Sequence, residues 1–249
     1  MTEANAPSIP SMSIRNSGLV RRLKRVRPLV TAIKNTMRFT SLSIRPVLVS
    51  RYMKTHAVRK LQIGAHVCVL SGWLNSDLYP QSIGSITLDA TKPFPIPDAS
   101  FDYVFSEHQL EHISHSQAVS MLRECWRILR PGGKIRLAVP SLDRMVALFQ
   151  PARTELQERY IRFMTNISWP GVSDPSPCFA INSAFMDFGH KFLYDQTTLR
   201  KALEAAGFDQ VQFFAPGVSD DPNFTGIEAR TREMDIYETM VAQAIRTVD

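Results

Sequence analysis

Between Phe101 and Val139 the apolar period of the chain changes twice, and this restricts the fold sharply. Phe101 to Ser106 (FDYVFS) is a short, aromatic-rich run of the kind that forms a buried strand. From Ser114 onward Ala118, Leu122, Cys125, Trp126 and Leu129 recur at three- and four-residue steps, the stripe of an amphipathic helix. Ser114 and Gln117 stand at capping-box spacing where that helix begins. Pro131-Gly132-Gly133 then stops the helix and turns the chain into a second strand, Lys134 to Val139. A strand, a helix and a strand in succession call for a sheet covered by helices, so the chain reads as α/β.

The same alternation extends in both directions. Lys60 to Gly64 (KLQIG), Gly72 to Leu78 (GWLNSDL) and Ile86 to Leu88 read as three short strands. Residues 141–190 read as a helix followed by a long loop. Thr197 to Ala206 reads as a helix with Gly207 at its C′ position. Phe208 to Phe214 and Tyr237 to Ala244 complete the set of strands. With helices on both faces, the expected sheet is mostly parallel.

Charge divides the chain into two parts. Residues 1–60 hold thirteen Lys and Arg against one acid, Glu3, a net charge of about +12. The rest carries about −6, so the overall +6 belongs to an arm and the body is mildly acidic. We therefore divide the chain into a basic arm, 1–59, and a domain, 60–249. Residues 1–17, rich in Ser, Pro, Ala and Asn, read as disordered. From Gly18 the residues Leu19, Val20, Leu23, Val26, Val30 and Ile33 form an apolar stripe opposite Arg21, Arg22, Lys24 and Arg25. Pro28 is expected to kink or divide this helix.

Other classes lack support. No apolar run approaches the ~18 residues of a membrane span. The N-terminus lacks the order of a secretory signal. Cys68, Cys125 and Cys178 are widely spaced and read as reduced thiols, and no Cys/His cluster indicates zinc. A nucleic-acid role finds neither a stacking platform nor a groove-reading motif. These readings place the protein in the cytoplasm.

In an open α/β sheet, ligands bind beyond the carboxyl ends of the strands. Those ends are here marked by Gly64-Ala65-His66, by Asp77, by Asp89-Ala90 and by Ser106-Glu107-His108. The order KLQIGAH, GWLNSDL, LDATKPFPIPDASFDYVFSEHQLEHI, MLRECWRILRPGGKIRLAVP and FLYDQTTLRKALEAAGF resembles the class I S-adenosylmethionine-dependent methyltransferases. It is most similar to a bacterial group with a short first loop, often associated with cell-surface glycan genes. The resemblance implies a Rossmann-like methyltransferase fold and S-adenosylmethionine as cofactor.

It also implies roles for particular residues. Gly64, with Ala65, would let the backbone approach the methionine part of the cofactor. Asp77 would accept the ribose hydroxyls, and Asp89 the adenine amine beside Ala90. Ser106 and Glu107 would close the floor. The usual second glycine of the first turn is replaced by His66, a side chain that either reaches out of the pocket or blocks it. The structural alternatives are a loop acid for Asp77, a turn cap for Asp89, and satisfied imidazoles for the histidines.

Transfer to an oxygen would benefit from a base near pH 7, which His112, His108 or His190 could supply. His108 and His112, four residues apart, would share a face if helical. The expected function is methyl transfer to an unidentified acceptor, such as a hydroxyl of a surface glycan or its precursor. The alternative is a non-catalytic scaffold whose altered loop no longer takes cofactor. The arm is expected either to attach to an anionic membrane surface, at the inner face of the membrane, or to pack on the body.

Overall fold

The computed structural model describes the backbone of residues 18–247 and the side chains of residue 36 and of residues 38–247. The stretch 1–17 read as disordered lies outside the described residues, as do the side chains of the stripe from Leu19 to Ile33.

A seven-stranded sheet organises the chain, in the order β3-β2-β1-β4-β5-β7-β6. Its strands are β1 (Lys60–Ile63), β2 (Leu74–Asp77), β3 (Ile86–Thr87), β4 (Phe101–Glu107), β5 (Leu129–Pro140), β6 (Asp209–Phe214) and β7 (Thr239–Ile245). The first five run parallel, and β7 enters antiparallel between β5 and β6. This is the Rossmann-like methyltransferase arrangement, mostly parallel with helices. The core beneath it is aliphatic and aromatic, with Leu61, Ile86, Phe101, Val104, Leu122 and Leu199 all fully buried.

The helix α2 (His115–Ile128) carries the expected capping box between Ser114 and Gln117. The Pro131-Gly132-Gly133 segment does not precede the next strand as expected but lies inside β5. Leu129 already pairs with Phe101, and the register shifts before Lys134 pairs with Tyr103. A Cβ on Gly133 would lie 2.8 Å from the Arg130 carbonyl oxygen, so this irregularity needs a residue without one.

The helix α1 (Gly18–Thr55) runs through Pro28 and Pro46 as one element, so the expected division does not occur. Each proline lacks the N–H of one ladder hydrogen bond. Its second half is also held by the body. Ser41 and Arg45 serve the edge of β3: Ser41 Oγ accepts from Thr87 N at 2.9 Å, and Arg45 Nη1 donates to Thr87 O at 3.1 Å. An edge strand otherwise presents unsatisfied groups, and α1 covers them. Tyr52, 7% exposed, accepts from Lys60 N at 2.9 Å and lies 3.0 Å from Gly72 O, joining the helix to the first two strands. No helix of the described residues is long and apolar enough to cross a membrane.

The reading of 141–190 as one helix and a loop is corrected. Three helices occupy it: α3 (Leu142–Ala147), α4 (Glu155–Ser168) and α5 (Pro177–Met186). Thr154 and Gln157 form a second capping box, and Tyr160, Ile161 and Met164 bury the inner face of α4. With Met145, Leu148, Ala180, Ala184 and Leu193 they make a separate small core beside the carboxyl ends of the strands. Then α6 (Gln196–Ala205) follows, with Gly207 left-handed at φ +99°. The last strand begins at Thr239 rather than Tyr237, because Glu233–Glu238 forms α7.

Candidate active site

The turn after β1 is tight. The N–H groups of Gly64 and Ala65 both donate to Ser76 O at 2.9 Å, which holds the turn against β2. Gly64 has φ +76° and His66 φ +46°. The close approach that Gly64 allows is to Gln109: a Cβ would lie 2.7 Å from Gln109 Cγ. The adjacent Asp77 carboxylate binds backbone with both oxygens, accepting from His66 N at 2.9 Å and Tyr79 N at 2.8 Å. Each carboxylate oxygen has capacity for a further donor, so Asp77 both fixes the loop and faces the cleft. Asp89 Oδ1 accepts from Thr91 N and Thr91 Oγ1 at 2.9 and 2.7 Å. Burial pushes the Asp89 carboxyl up, but the Thr91 hydrogen bonds with Lys92 and Arg38 outweigh it and hold it below the ordinary range.

Two lobes of a cleft open on these residues. One, of about 400 Å³, is lined by Gly64, Ala65, His66, Asp77, Glu107 and Arg230 among others. The second, of about 450 Å³, is lined by Gly64, Asp77, Asp89, Ala90 and Lys191. Gly64, Asp77, Gln109 and His112 belong to both. Spaces of this size match small-molecule sites. The cofactor implied by the sequence fits this cleft in size, and two acids, Asp77 and Asp89, face the space.

Of the expected cofactor residues, Ser106 alone lines neither lobe. It is 2% exposed and donates from Oγ to Ile63 O at 3.1 Å, tying β4 to β1 beneath the floor. Glu107 lines the first lobe, and its carboxylate accepts from Ala229 N and Arg230 N at 3.0 and 3.2 Å. It thereby brings in Arg230, a lining residue that no local pattern indicates.

His66 is exposed at the rim of the first lobe, so its side chain does not fill the floor. A left-handed non-glycine residue costs roughly 1–2 kcal/mol. His66→Gly is therefore expected to leave stability within about 1 kcal/mol, strain relief offsetting the added freedom of the unfolded chain. Affinity for S-adenosylhomocysteine, read by calorimetry, should hold or tighten. A marked loss would make the imidazole a ligand contact and refute this account.

The histidines converge on a third cavity of about 170 Å³, also lined by Phe163, Phe188, Arg230 and Glu238. His108 and His112 do not share a helical face as expected. His108 is left-handed at φ +45°, and only His112 lies in the 3₁₀ turn Leu110–His112. They nonetheless meet on one wall. His108 Nε2 lies 2.9 Å from Thr239 Oγ1, whose own hydrogen goes to Asp235 O at 2.7 Å. His108 Nε2 must then be the donor. His190 reaches the wall from a distant segment, its ring centroid 4.9 Å from that of His112. Burial pushes its pKa below the ordinary imidazole value, with Glu111 opposing, so His190 is neutral near pH 7. Glu238 accepts from Tyr160 Oη at 2.7 Å, and burial raises its carboxyl above the ordinary range despite that hydrogen bond.

Residues 64–137 match the family model described as a methyltransferase domain. No curated protein matches the chain. Among solved structures, it resembles a SAM-dependent methyltransferase from Archaeoglobus fulgidus at 15% identity, covering 87% of this chain and 99% of that one, with TM-score 0.47. It also resembles an S-adenosylmethionine-dependent methyltransferase from Mesorhizobium loti, at 17% identity, 82% and 97% coverage and TM-score 0.46. A third is a Haemonchus contortus phosphoethanolamine N-methyltransferase solved with S-adenosylhomocysteine, at 13% identity and TM-score 0.41; the alignment covers 81% of this chain and 52% of that one. These distant likenesses carry no argument about the acceptor. Residues 64–137 thus match a methyltransferase domain within a Rossmann-like, mostly parallel sheet, and that domain implies S-adenosylmethionine as the cofactor.

Proposed function

We propose that the protein transfers a methyl group from S-adenosylmethionine to a hydroxyl held in the cavity walled by His108, His112 and His190. The observation that carries this reading is a shared wall: His108, His112 and Arg230 line both the first cofactor lobe and the smaller cavity. Two molecules seated in those spaces meet across it, and alignment supplies much of the acceleration in such a transfer. When bound, the cofactor supplies a methyl on a sulfonium, which the acceptor oxygen takes as the carbon–sulfur bond opens. A neutral His190 can accept the hydroxyl proton. Arg230 offers donors to anionic or hydroxyl groups. Phe163 and Phe188 give the cavity an apolar side. The acceptor we propose is a sugar of a cell-surface glycan or its precursor. Its ring faces suit the phenyl groups and its hydroxyls suit the polar wall, and the resemblance to a glycan-associated group supports it.

Calorimetry with S-adenosylhomocysteine tests the cofactor half. Asp77→Ala is expected to weaken binding by about 1–3 kcal/mol, the usual effect of removing a charged acceptor. Asp77→Asn, which keeps one acceptor oxygen, should fall between the two. Absence of binding to the unaltered protein would remove the catalytic reading and leave the scaffold.

For the arm we propose attachment to an anionic membrane surface. On the described part of α1, Phe39, Ile44 and Val47 are 73%, 45% and 68% exposed, with Arg51 exposed on the same helix. Basic residues near such a surface contribute ~1 kcal/mol each. The full chain should sediment with anionic vesicles, release in high salt and ignore neutral ones, and a chain lacking residues 1–35 should lose most of this retention. The deletion stops there because Ser41, Val49 and Tyr52 are buried in the fold. Equal behaviour of the two chains would refute the arm's role.

A further inference from the structure

Glu111 is a fully buried ionisable group at the wall of the histidine cavity. Its side chain is 0% exposed, and Oε2 has no hydrogen-bond partner among the described residues. Leaving a buried carboxylate oxygen unmet is expensive, and such a group calls for an explanation. The nearest cation-forming group is His108, with Nδ1 3.2 Å from Oε1.

Two further ligand-type atoms are brought to it. His112 follows directly in the 3₁₀ turn. His190 Nε2 lies 3.9 Å from Glu111 Oε1, and His190 Nδ1 is buried without a hydrogen-bond partner among the described residues. Their closeness is built into the backbone. The N–H groups of Lys191 and Phe192 both donate to Glu111 O, at 2.7 and 3.3 Å, laying the segment that carries His190 against the turn. One ligand atom from each of Glu111, His112 and His190 lies within 4.8 Å of the others.

We propose that Glu111, His112 and His190 bind a divalent first-row transition metal at the wall of the acceptor cavity. Two imidazoles and a carboxylate suit Zn²⁺ and its neighbours rather than Mg²⁺ or Ca²⁺, which prefer oxygen. A tetrahedral set with bonds of ~2.0–2.2 Å has edges of ~3.4 Å, so the three atoms must draw in by up to about 1.4 Å, which side-chain rotations provide. A cation there would also meet the unsatisfied Glu111 oxygen. His108, anchored through Thr239, would stand beside the ligating carboxylate. Three protein ligands leave a coordination position toward the cavity, where an acceptor oxygen could bind and lose its proton more readily, and with metal bound this would replace His190 as the means of deprotonation. That last role rests on the methyl-transfer reading; the metal site does not.

The test uses the full, untagged chain, stripped with chelator and titrated with Zn²⁺ by calorimetry and with Co²⁺ by visible absorption. One equivalent should bind with a low-micromolar or tighter dissociation constant. His190→Ala should weaken binding at least about tenfold, since even outer partners of a metal site are typically worth roughly 10–100-fold. Glu111→Gln should do the same, and His190→Ala covers the case in which that core variant fails to fold. S-adenosylhomocysteine affinity, measured alongside, should stay within about twofold in His190→Ala, because His190 lines neither cofactor lobe. Metal binding without cofactor binding would sink the transfer reading alone. Failure of the unaltered chain to take up either ion would overturn the metal site. So would unchanged affinity in both variants, or thiolate absorption placing Co²⁺ on the exposed Cys68 or Cys178.

Discussion

Glu228→Ala is expected to lower the unfolding free energy by about 3–5 kcal/mol, the usual effect of removing one partner of a buried ion pair. Arg136 is fully buried on β5, and the Glu228 side chain is 3% exposed. Glu228 Oε1 accepts from Arg136 Nε at 2.6 Å, and Oε2 accepts from Gly217 N at 3.0 Å. Arg136 Nη1 donates to Val218 O at 3.0 Å. The alanine variant leaves a guanidinium in the core and releases the start of the 217–228 segment. Urea unfolding at pH 7 reads the effect. Replacing both Arg136 and Glu228 by Met should cost much less than the single change, because no charge is then stranded. A loss below about 1 kcal/mol in the single variant would mean that water reaches Arg136, and the argument would fail. Cofactor affinity should fall with stability in Glu228→Ala, since this segment leads directly to Ala229 and Arg230, which Glu107 holds against the first lobe.

This pair also shows what local pattern cannot convey. Glu228 meets Arg136 across 92 residues. Glu238 comes to the histidine wall because α7 leads into β7, which returns between β5 and β6. Neither pairing has a short-range signature. Glu111 escapes local pattern for a different reason: in SEHQLEHI the histidines draw attention, while the chain packed on that turn comes from Lys191 and Phe192, about 80 residues later, whose N–H groups donate to Glu111 O. The helices α3 to α5 were more accessible than our reading allowed. Thr154 and Gln157 stand at the same capping-box spacing that identified α2, and Tyr160, Ile161 and Met164 keep helical steps. Pro170, Gly171, Pro175 and Pro177 nearby lent the region the look of a loop. The strands, by contrast, were legible from short apolar runs ending in Gly or an acid. The residues at those ends came from the resemblance and, except for Ser106, line one cleft.

Gly64→Val is expected to be nearly as damaging, at about 2–5 kcal/mol, and to weaken S-adenosylhomocysteine binding at least tenfold, about 1.4 kcal/mol. Two costs combine. A β-branched residue at φ +76° is strained, by roughly 1–2 kcal/mol. The turn cannot escape by changing φ without losing the Gly64 and Ala65 hydrogen bonds to Ser76 O. Overpacking adds roughly 1–3 kcal/mol. The new Cβ would lie 2.7 Å from Gln109 Cγ and 2.9 Å from Gln109 Cβ, atoms too near the backbone to swing aside. Gln109 lines both cofactor lobes, so its displacement disturbs the whole cleft. The milder Gly64→Ala isolates the two terms when paired with Gln109→Ala. Removing Cγ relieves the closer contact and leaves the backbone strain, so the double variant should recover part of the lost stability and affinity. If Gln109→Ala brings no relief to Gly64→Ala, glycine is required there by backbone conformation alone, and the steric account of this turn is wrong.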